Sequence, residues 1–281
     1  MNMKKIKILF LLVIVLISAT AGAQTLTLKW KTDTLLRVPE SVLLDSKNKV
    51  LYVSNIDGKP DGKDGKGFIS KVSPDGKILN LEWVSGLDAP KGLGLFNNNL
   101  YVTDLARVVV IDITTGKITQ SIEVEGAVFL NDITVDEKGN VYISDSSTGK
   151  VHKLANGKVE LFFENADIKS TNGLLALKDG LYMAEFQTGS FYKLDWNKKL
   201  TKVSTTAFGG DGIVTTGKNE FIVSSWNGEV YFVDAAGKAS KILDTKEQKL
   251  NSADVDFDAK TKTLFIPTFF ANSIMAYEFK K

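Results

Sequence analysis

The chain has 281 residues, of which 43% are hydrophobic, and its 35 basic and 33 acidic side chains give a formal net charge of +2. This balance excludes the strongly basic surface that nucleic acids or anionic membranes select. The sequence contains no cysteine, which excludes thiol nucleophiles, thiolate metal sites and disulfides. Residues 24–281 are enough for one all-β domain with a sizeable core.

Residues 1–23 have the pattern of a signal peptide. Lys4, Lys5 and Lys7 form a basic start, residues 8–17 are apolar, and Ala21 and Ala23 flank a glycine as at a cleavage site. A membrane anchor is the alternative, but it needs about 20 apolar residues. We therefore expect cleavage near Ala23, a periplasmic or secreted protein of formal charge −1, and no membrane span in the mature chain.

Six copies of one repeat fill the rest of the chain. The clearest copy lies at residues 129–154, where three alternating apolar runs are separated by turns rich in glycine and asparagine. Every copy opens with a short motif that leads into a strand. The opening motifs are Pro39-Glu40-Ser41-Val42, Pro90-Lys91-Gly92-Leu93, Leu130-Asn131-Asp132-Ile133, Thr171-Asn172-Gly173-Leu174, Gly210-Asp211-Gly212-Ile213 and Ser252-Ala253-Asp254-Val255.

The spacing of these copies predicts a six-bladed β-propeller. The second residues of the motifs are 51, 40, 41, 39 and 42 residues apart, and a period of roughly 40 residues with four short strands is typical of propeller blades. The last copy has only three strands, ending at residues 273–279. We expect residues 25–36, which alternate apolar and polar, to add its fourth strand and close the ring. Pairing of residues 25–36 with residues 68–84 is the alternative.

The first copy is longer because of an insertion at residues 55–67. Asp57 and Asp61 fit two ligand positions of a calcium-binding loop, but Lys59 and Phe68 occupy positions that need oxygen ligands. A mobile polar loop is the better interpretation. In an up-and-down blade this loop should overhang the face that carries Glu40, as a lid.

The residues just before the innermost strands should face the central channel. Around the ring they are Glu40, Lys91, Asn131, Asn172, Asp211 and Ala253. Four of them are oxygen donors without histidine or cysteine, a set that suits Ca²⁺ best, with Zn²⁺, Mn²⁺ or Mg²⁺ as alternatives. Asn and Asp also favour turns before strands, which is the alternative explanation, but it accounts poorly for Glu40.

With these motifs the sequence resembles the gluconolactonase, senescence marker protein and luciferin-regenerating enzyme family of six-bladed propellers, over nearly all of residues 24–281. The resemblance implies a divalent ion on the propeller axis, held by Glu40 of blade one, Asn172 of blade four and Asp211 of blade five. It also implies that Asn131 of blade three completes the site.

The sequence departs from the family pattern at Phe129. Sugar-lactone members carry a substrate-binding arginine at this position, two residues before the blade-three asparagine. Phe186, Trp226 and Phe270 end second strands and should reach the same face, either as rim packing or as substrate contacts. If they line the pocket, the ligand is less polar than a sugar acid, so Phe129 and Trp226 are candidate substrate-binding residues.

Two further polar residues, Lys91 and His152, bear on the predicted site. Lys91 either leans away from the metal to pair with Asp104 or Asp132, or binds a carboxylate of the substrate. His152, the only histidine, lies in a third-strand run and is expected to be solvated, which excludes a Ser-His-Asp hydrolase. The polar residues that end the second strands, Asn55, Asp104, Asp145 and Glu185, are expected to stabilise turns.

The sequence therefore predicts a metal-dependent hydrolase of the lactonase or esterase type. Asp211 would be the general base and Asn131 would orient the substrate or the water, with a small lactone or ester as substrate. The alternative is a propeller that binds a small molecule or acts as a scaffold without turnover, with a structural Ca²⁺ in its channel. We expect a monomer that binds no nucleic acid.

Overall fold

A computed structural model describes residues 24–281, so the predicted signal peptide at 1–23 lies outside the described residues. The first strand, β1, spans Thr25–Lys31. The other strands form six antiparallel sheets in which sequence neighbours are paired. Blade one contains β2 (Pro39–Asp45), β3 (Val50–Asn55), β4 (Gly67–Val72) and β5 (Ile78–Leu87). Blade two contains β6 (Pro90–Phe96), β7 (Asn99–Asp104), β8 (Arg107–Asp112) and β9 (Lys117–Glu123).

The remaining four blades repeat this arrangement. Blade three contains β10 (Leu130–Val135), β11 (Val141–Asp145), β12 (Lys150–Ala155) and β13 (Lys158–Phe163). Blade four contains β14 (Thr171–Leu177), β15 (Gly180–Glu185), β16 (Ser190–Leu194) and β17 (Leu200–Thr205). Blade five contains β18 (Gly210–Gly217), β19 (Glu220–Ser225), β20 (Glu229–Val233) and β21 (Ala239–Asp244). Blade six contains β22 (Asp256–Asp258), β23 (Thr263–Pro267) and β24 (Ile274–Lys280) and, after β23, the 3-10 helix Phe269–Ala271.

The ring closes as the sequence predicts. The order of strands in the last sheet is β1, β24, β23, β22, so the N-terminal strand is the outer strand of blade six. The predicted six-bladed all-β propeller is therefore confirmed, and the alternative pairing with residues 68–84 is wrong. The stretch of β1 is shorter than the predicted 25–36 because the chain turns towards blade one after Lys31. Within residues 24–281, no helix has the length and apolarity to cross a membrane.

The core lies between the blades. Apolar side chains from facing sheets form separate buried clusters around the ring, such as the one between blades one and two that includes Tyr52, Leu93 and Val102. The innermost strands also approach one another closely. A Cβ atom at Gly173 would overlap the carbonyl oxygen of Asp211 in the next blade, so this position requires glycine.

Blade six departs from the repeat. Its innermost strand has only three residues and begins after Asp254, later than the opening motif predicts. Asp254 leaves the sheet to form a parallel bridge with Ser41 of blade one, whose hydroxyl donates to its carboxylate. Ala253 is buried in an apolar cluster with Ile56 and Phe269 rather than exposed in the channel.

Closure by β1 predicts a specific loss of stability. Trp30 packs on Phe265 of blade six at 5.9 Å between ring centroids, and its indole N–H donates to the carbonyl of Pro74 in blade one. Trp30→Ala should lower the free energy of unfolding by about 3 kcal/mol in urea titrations. Leu28, in the same strand, is 51% exposed, and Leu28→Ala should change it by less than about 0.5 kcal/mol. Equal effects of the two substitutions would contradict this role of β1.

Candidate functional site

One cavity of about 300 Å³ lies on one end of the propeller channel. All seven residues that the sequence predicts as metal or substrate ligands line it, although they come from blades one to five. They are Glu40, Lys91, Phe129, Asn131, Asn172, Asp211 and Trp226. Ile56 and Pro60 of the 55–67 insertion line the same cavity, so this loop overhangs the face that carries Glu40.

The channel-facing residues of blades one to five lie in β-bulges. In blade three the register moves from the pair 130–145 to the pair 133–143, so the innermost strand has one residue more than its partner. The same shift occurs between residues 39 and 42, 90 and 93, 171 and 174, and 210 and 213. A bulge redirects side chains out of strand alternation, and here it does so at the same step in five blades.

A polar side chain at the end of the second strand holds the segment that enters each of the first four bulges. Asp145 accepts hydrogen bonds from the backbone N–H groups of Val128 (2.8 Å) and Phe129 (3.2 Å), directly before the blade-three bulge. In the other three blades the backbone N–H groups of Ala89, Ser170 and Arg37 donate in the same way. Their acceptors are the side-chain oxygens of Asp104, Glu185 and Asn55, respectively. The prediction that these polar residues stabilise turns is confirmed, and the turns are those that position the site.

The predicted metal ligands present unsatisfied oxygen atoms. Within residues 24–281, seven buried side-chain polar atoms have no hydrogen-bond partner, and four of them belong to these ligands. The four atoms are Glu40 Oε2, Asn131 Oδ1, Asn172 Oδ1 and Asp211 Oδ1. Leaving a buried polar atom unpaired costs about 1–3 kcal/mol. Four such atoms in one cavity therefore indicate a ligand that they bind.

The amide group of Asn131 is oriented by hydrogen bonds. The Asn131 amide nitrogen donates to the Ser146 hydroxyl at 3.1 Å, and this hydroxyl donates to the carbonyl of Thr171 at 2.8 Å. The Asn131 amide nitrogen is thus engaged, which leaves its carbonyl oxygen for a ligand. The Asn172 side chain lies close enough to Asp211 to oppose the rise in the pKa of its carboxyl group. Ser146 has no motif around it, so the sequence did not reveal its positioning role.

The carboxylates are buried close to one another. Burial and the charges of Asp211 and Asp254 raise the pKa of Glu40 well above its usual value, and the charge of Lys91 opposes this. Burial and the charges of Asp254 and Asp132 likewise raise the pKa of Asp211. Burial also raises the pKa of Asp254 to about 7, although the Ser41 hydroxyl opposes the shift. A cation among these groups would offset the cost of their burial and repulsion.

This donor set fits a hard divalent cation. It combines two carboxylates and two amide oxygens, the donor types that Ca²⁺ prefers, and the carboxylates balance a charge of +2. In the described part of the chain no three His, Cys, Asp or Glu side chains are grouped as metal ligands, since half of the donors here are amides.

Lys91 has neither of the partners that the sequence suggested. Asp104 binds Arg107 at 2.7 Å and backbone N–H groups, and Asp132 accepts the N–H groups of Leu174 and Ile133. Both carboxylates are therefore already engaged, and the predicted pairing is wrong. The Lys91 ammonium lies 4.3 Å from the ring centroid of Phe129 and donates to the carbonyl of Ala89 at 3.0 Å. Burial lowers its pKa to about 8, and the negative charge of Glu40 opposes this shift.

An aromatic wall covers the side of the cavity formed by blades four to six. Trp226 packs edge-on against Phe269 and Phe270, at 5.4 and 5.9 Å between centroids, and all three line the cavity. Phe186 also lines it and contacts Phe208 at 5.2 Å. Phe208 and Phe270 are 53% and 62% exposed, so the wall continues to the rim. The sequence identified three of these five rings and missed Phe208 and Phe269.

His152 lies outside the cavity, and the expectation that it is solvated is wrong. It is only 5% exposed, in an inner strand of blade three where it pairs with Ile143 and Leu161. Burial lowers the pKa of its imidazole, which favours the neutral form.

A second cavity of about 300 Å³ lies further along the innermost strands. Its carboxylates, Asp132, Asp254 and Asp256, accept hydrogen bonds from the backbone or from Ser41. They are therefore structural links between blades.

Comparisons with known proteins place the chain by fold alone. No protein-family model and no curated sequence matches it. Among solved structures it is similar to an inactive variant of virginiamycin B lyase from Staphylococcus aureus with quinupristin, with a TM-score of 0.64, 14% identity, and 91% of this chain and 99% of that chain covered. It is also similar to a gluconolactonase from Xanthomonas campestris, with a TM-score of 0.65, 14% identity and 87% of each chain covered. A third similar structure is a chain of a nidogen–laminin complex, with a TM-score of 0.61 and 18% identity. The match covers 73% of this chain and 80% of that chain.

The unpaired oxygens predict a stabilising response to Ca²⁺. Saturating Ca²⁺ should raise the melting temperature of the protein by roughly 5–10 °C, and a chelator should reverse the increase. Glu40→Gln and Asp211→Asn should lose most of this response. Asp132→Asn is the matched control, because both Asp132 oxygens already accept backbone hydrogen bonds; it should be less stable at the start but keep the response.

Proposed function

We propose that the protein is a divalent-metal-dependent hydrolase of lactones or esters. The observation that carries the proposal is the group of four unpaired, buried oxygens at the base of a cavity with an apolar wall. The cavity volume of about 300 Å³ fits a small molecule rather than a polymer. The fold likeness to a gluconolactonase is consistent with this chemistry, but the proposal rests on the site.

Glu40, Asn131, Asn172 and Asp211 would hold the ion, with Ca²⁺ as the proposed species and Zn²⁺, Mn²⁺ or Mg²⁺ as alternatives. When bound, such an ion supplies Lewis-acid polarisation of an ester carbonyl. The aromatic wall holds the apolar part of the substrate and excludes water from it. Asn131, oriented by Ser146, positions the substrate or the attacking water.

Asp211 is the proposed general base. It takes a proton from the attacking water, whose oxygen forms the new bond to the acyl carbon. The bond from this carbon to the alkoxy oxygen breaks, and the proton passes from Asp211 to the leaving oxygen. The products are a carboxylic acid and an alcohol, joined in one molecule when the substrate is a lactone.

We propose that the protein works in the periplasm or the surrounding medium, as a monomer, after cleavage near Ala23. The basis is the leader pattern of residues 1–23. Detection of mature protein that begins at Gln24 in the periplasmic or culture fraction would test this.

Hydrolysis should depend on Asp211 and on the ion. On a panel of aryl and alkyl lactones, Asp211→Asn should lower kcat/KM by about 100- to 10,000-fold. A chelator should abolish turnover and added Ca²⁺ should restore it. His152→Gln, which changes a buried side chain outside the cavity, should retain turnover. An Asp211→Asn protein as active as the unsubstituted one would show that Asp211 is not the base.

Binding without turnover is the second candidate function. The observation in its favour is Phe129, an apolar ring at the position where sugar-lactone members of the resembled family place a substrate-binding arginine. A binding protein would be stabilised saturably by apolar esters and release no acid from them. Calorimetry and acid release, measured on the same ligands, separate the two functions.

A further inference from the structure

Lys91 is a buried cation whose charge is not neutralised by a contacting carboxylate. It is 2% exposed, and no ion pair in residues 24–281 includes it. Of its three N–H donors, one has a protein acceptor, the carbonyl of Ala89. A buried charge without a partner is costly, and such a group is kept where it meets a ligand.

The charges in the cavity add to a positive value when the proposed ion is bound. Glu40 and Asp211 contribute −2, a divalent ion contributes +2, and Lys91 contributes +1. Other carboxylates lie nearby but do not line this cavity: Asp104 is paired with Arg107 at 2.7 Å, Asp61 is exposed to water, and Asp132 and Asp254 line the second cavity. The loaded cavity therefore favours a ligand with one negative charge.

The surroundings of Lys91 require the rest of this ligand to be apolar. Phe129 lies against the ammonium at 4.3 Å, and Trp226, Phe186 and Phe270 form the facing wall. Because these rings occupy most of this side of the cavity, few polar groups remain there to form hydrogen bonds with the hydroxyls of a sugar. A sugar would therefore lose hydrogen bonds to water when it entered the cavity.

We propose that Lys91 determines specificity, and that the substrate is an apolar lactone or ester that carries one carboxylate, bound by the Lys91 ammonium. This inference rests on the proposed function for the reaction, and on Lys91 and its aromatic neighbours for the substrate class. The carboxylate in question is present in the substrate before hydrolysis and remains in the product beside the newly formed acid.

Binding of phenylacetate and phenylacetamide to the Ca²⁺-loaded protein tests the proposal by calorimetry. The two probes share the aromatic body and differ in charge. Lys91→Met should weaken phenylacetate binding by about 10- to 100-fold and leave phenylacetamide binding within about twofold. Lys91→Arg, which keeps the charge, should preserve most of the preference.

Lys71→Met is the matched control. Lys71 also lies over aromatic rings, 3.9 Å from the Trp83 centroid, but outside the cavity. The Lys71→Met protein should bind phenylacetate and phenylacetamide as tightly as the unsubstituted protein does. If Lys91→Met retained phenylacetate binding while a chelator abolished it, the carboxylate would be bound by the ion alone and the proposal would be overturned.

A stability measurement separates ligand binding from a structural role. Lys91→Met should melt at the same or a higher temperature than the unsubstituted protein, because it removes an unpaired buried charge. A clearly lower melting temperature together with weaker binding of both probes would overturn the proposal, since Lys91 would then hold the backbone at Ala89.

A turnover measurement separates the proposal that the protein is a hydrolase from the proposal that Lys91 binds a carboxylate. Turnover is measured on an aryl lactone and on the same lactone bearing one carboxylate. Lys91-dependent phenylacetate binding without any turnover would reject the hydrolase and keep the anion site. Equal turnover of both lactones, unchanged in Lys91→Met, would reject the anion site and keep the hydrolase.

Discussion

The β-bulge at the start of the innermost strand in blades one to five is the constraint on which this site depends. Regular alternation would point neighbouring side chains to opposite faces of a blade, and the extra residue interrupts it at the same step in blades one to five. In blades one to four a polar side chain of the second strand fixes the entry to the bulge through backbone hydrogen bonds. The site is therefore built on sheets rather than on flexible loops, which keeps its oxygens in place.

The carboxylates at the two ends of the channel differ in their hydrogen bonds. Asp132 and Asp254 are buried and Asp256 is half-buried, and each accepts a hydrogen bond from a neighbouring blade, so their polarity links the ring together. Glu40 and Asp211 are also buried and keep an unpaired oxygen. The second arrangement opposes folding, and the apolar clusters between blades offset it.

The cavity has two chemically different parts, a group of oxygen donors and an aromatic wall with Lys91. In the proposed function, the oxygen donors hold the ion and define the class of reaction, whereas Lys91 and the aromatic wall select the ligand. The fold itself sets neither, since similar propellers include a lyase, a gluconolactonase and a chain of a nidogen–laminin complex. Phe129 belongs to the second part: it lies at the ammonium of Lys91 and makes that corner of the cavity apolar.

The sequence by itself determined the six blades, the closing strand and six of the seven residues that meet in the cavity, because strand alternation and a period of roughly 40 residues can be read along the chain. The seventh, Phe129, was identified through the family resemblance. Only the tertiary structure decided the partners of these residues. The pair of Arg107 and Asp104 is local, since the two residues face each other across a tight turn, but the contact of Ser146 with Asn131 and the burial of His152 depend on strands or blades that no local pattern brings together. The isolation of Lys91, and with it the charge of the cavity, follows from those contacts.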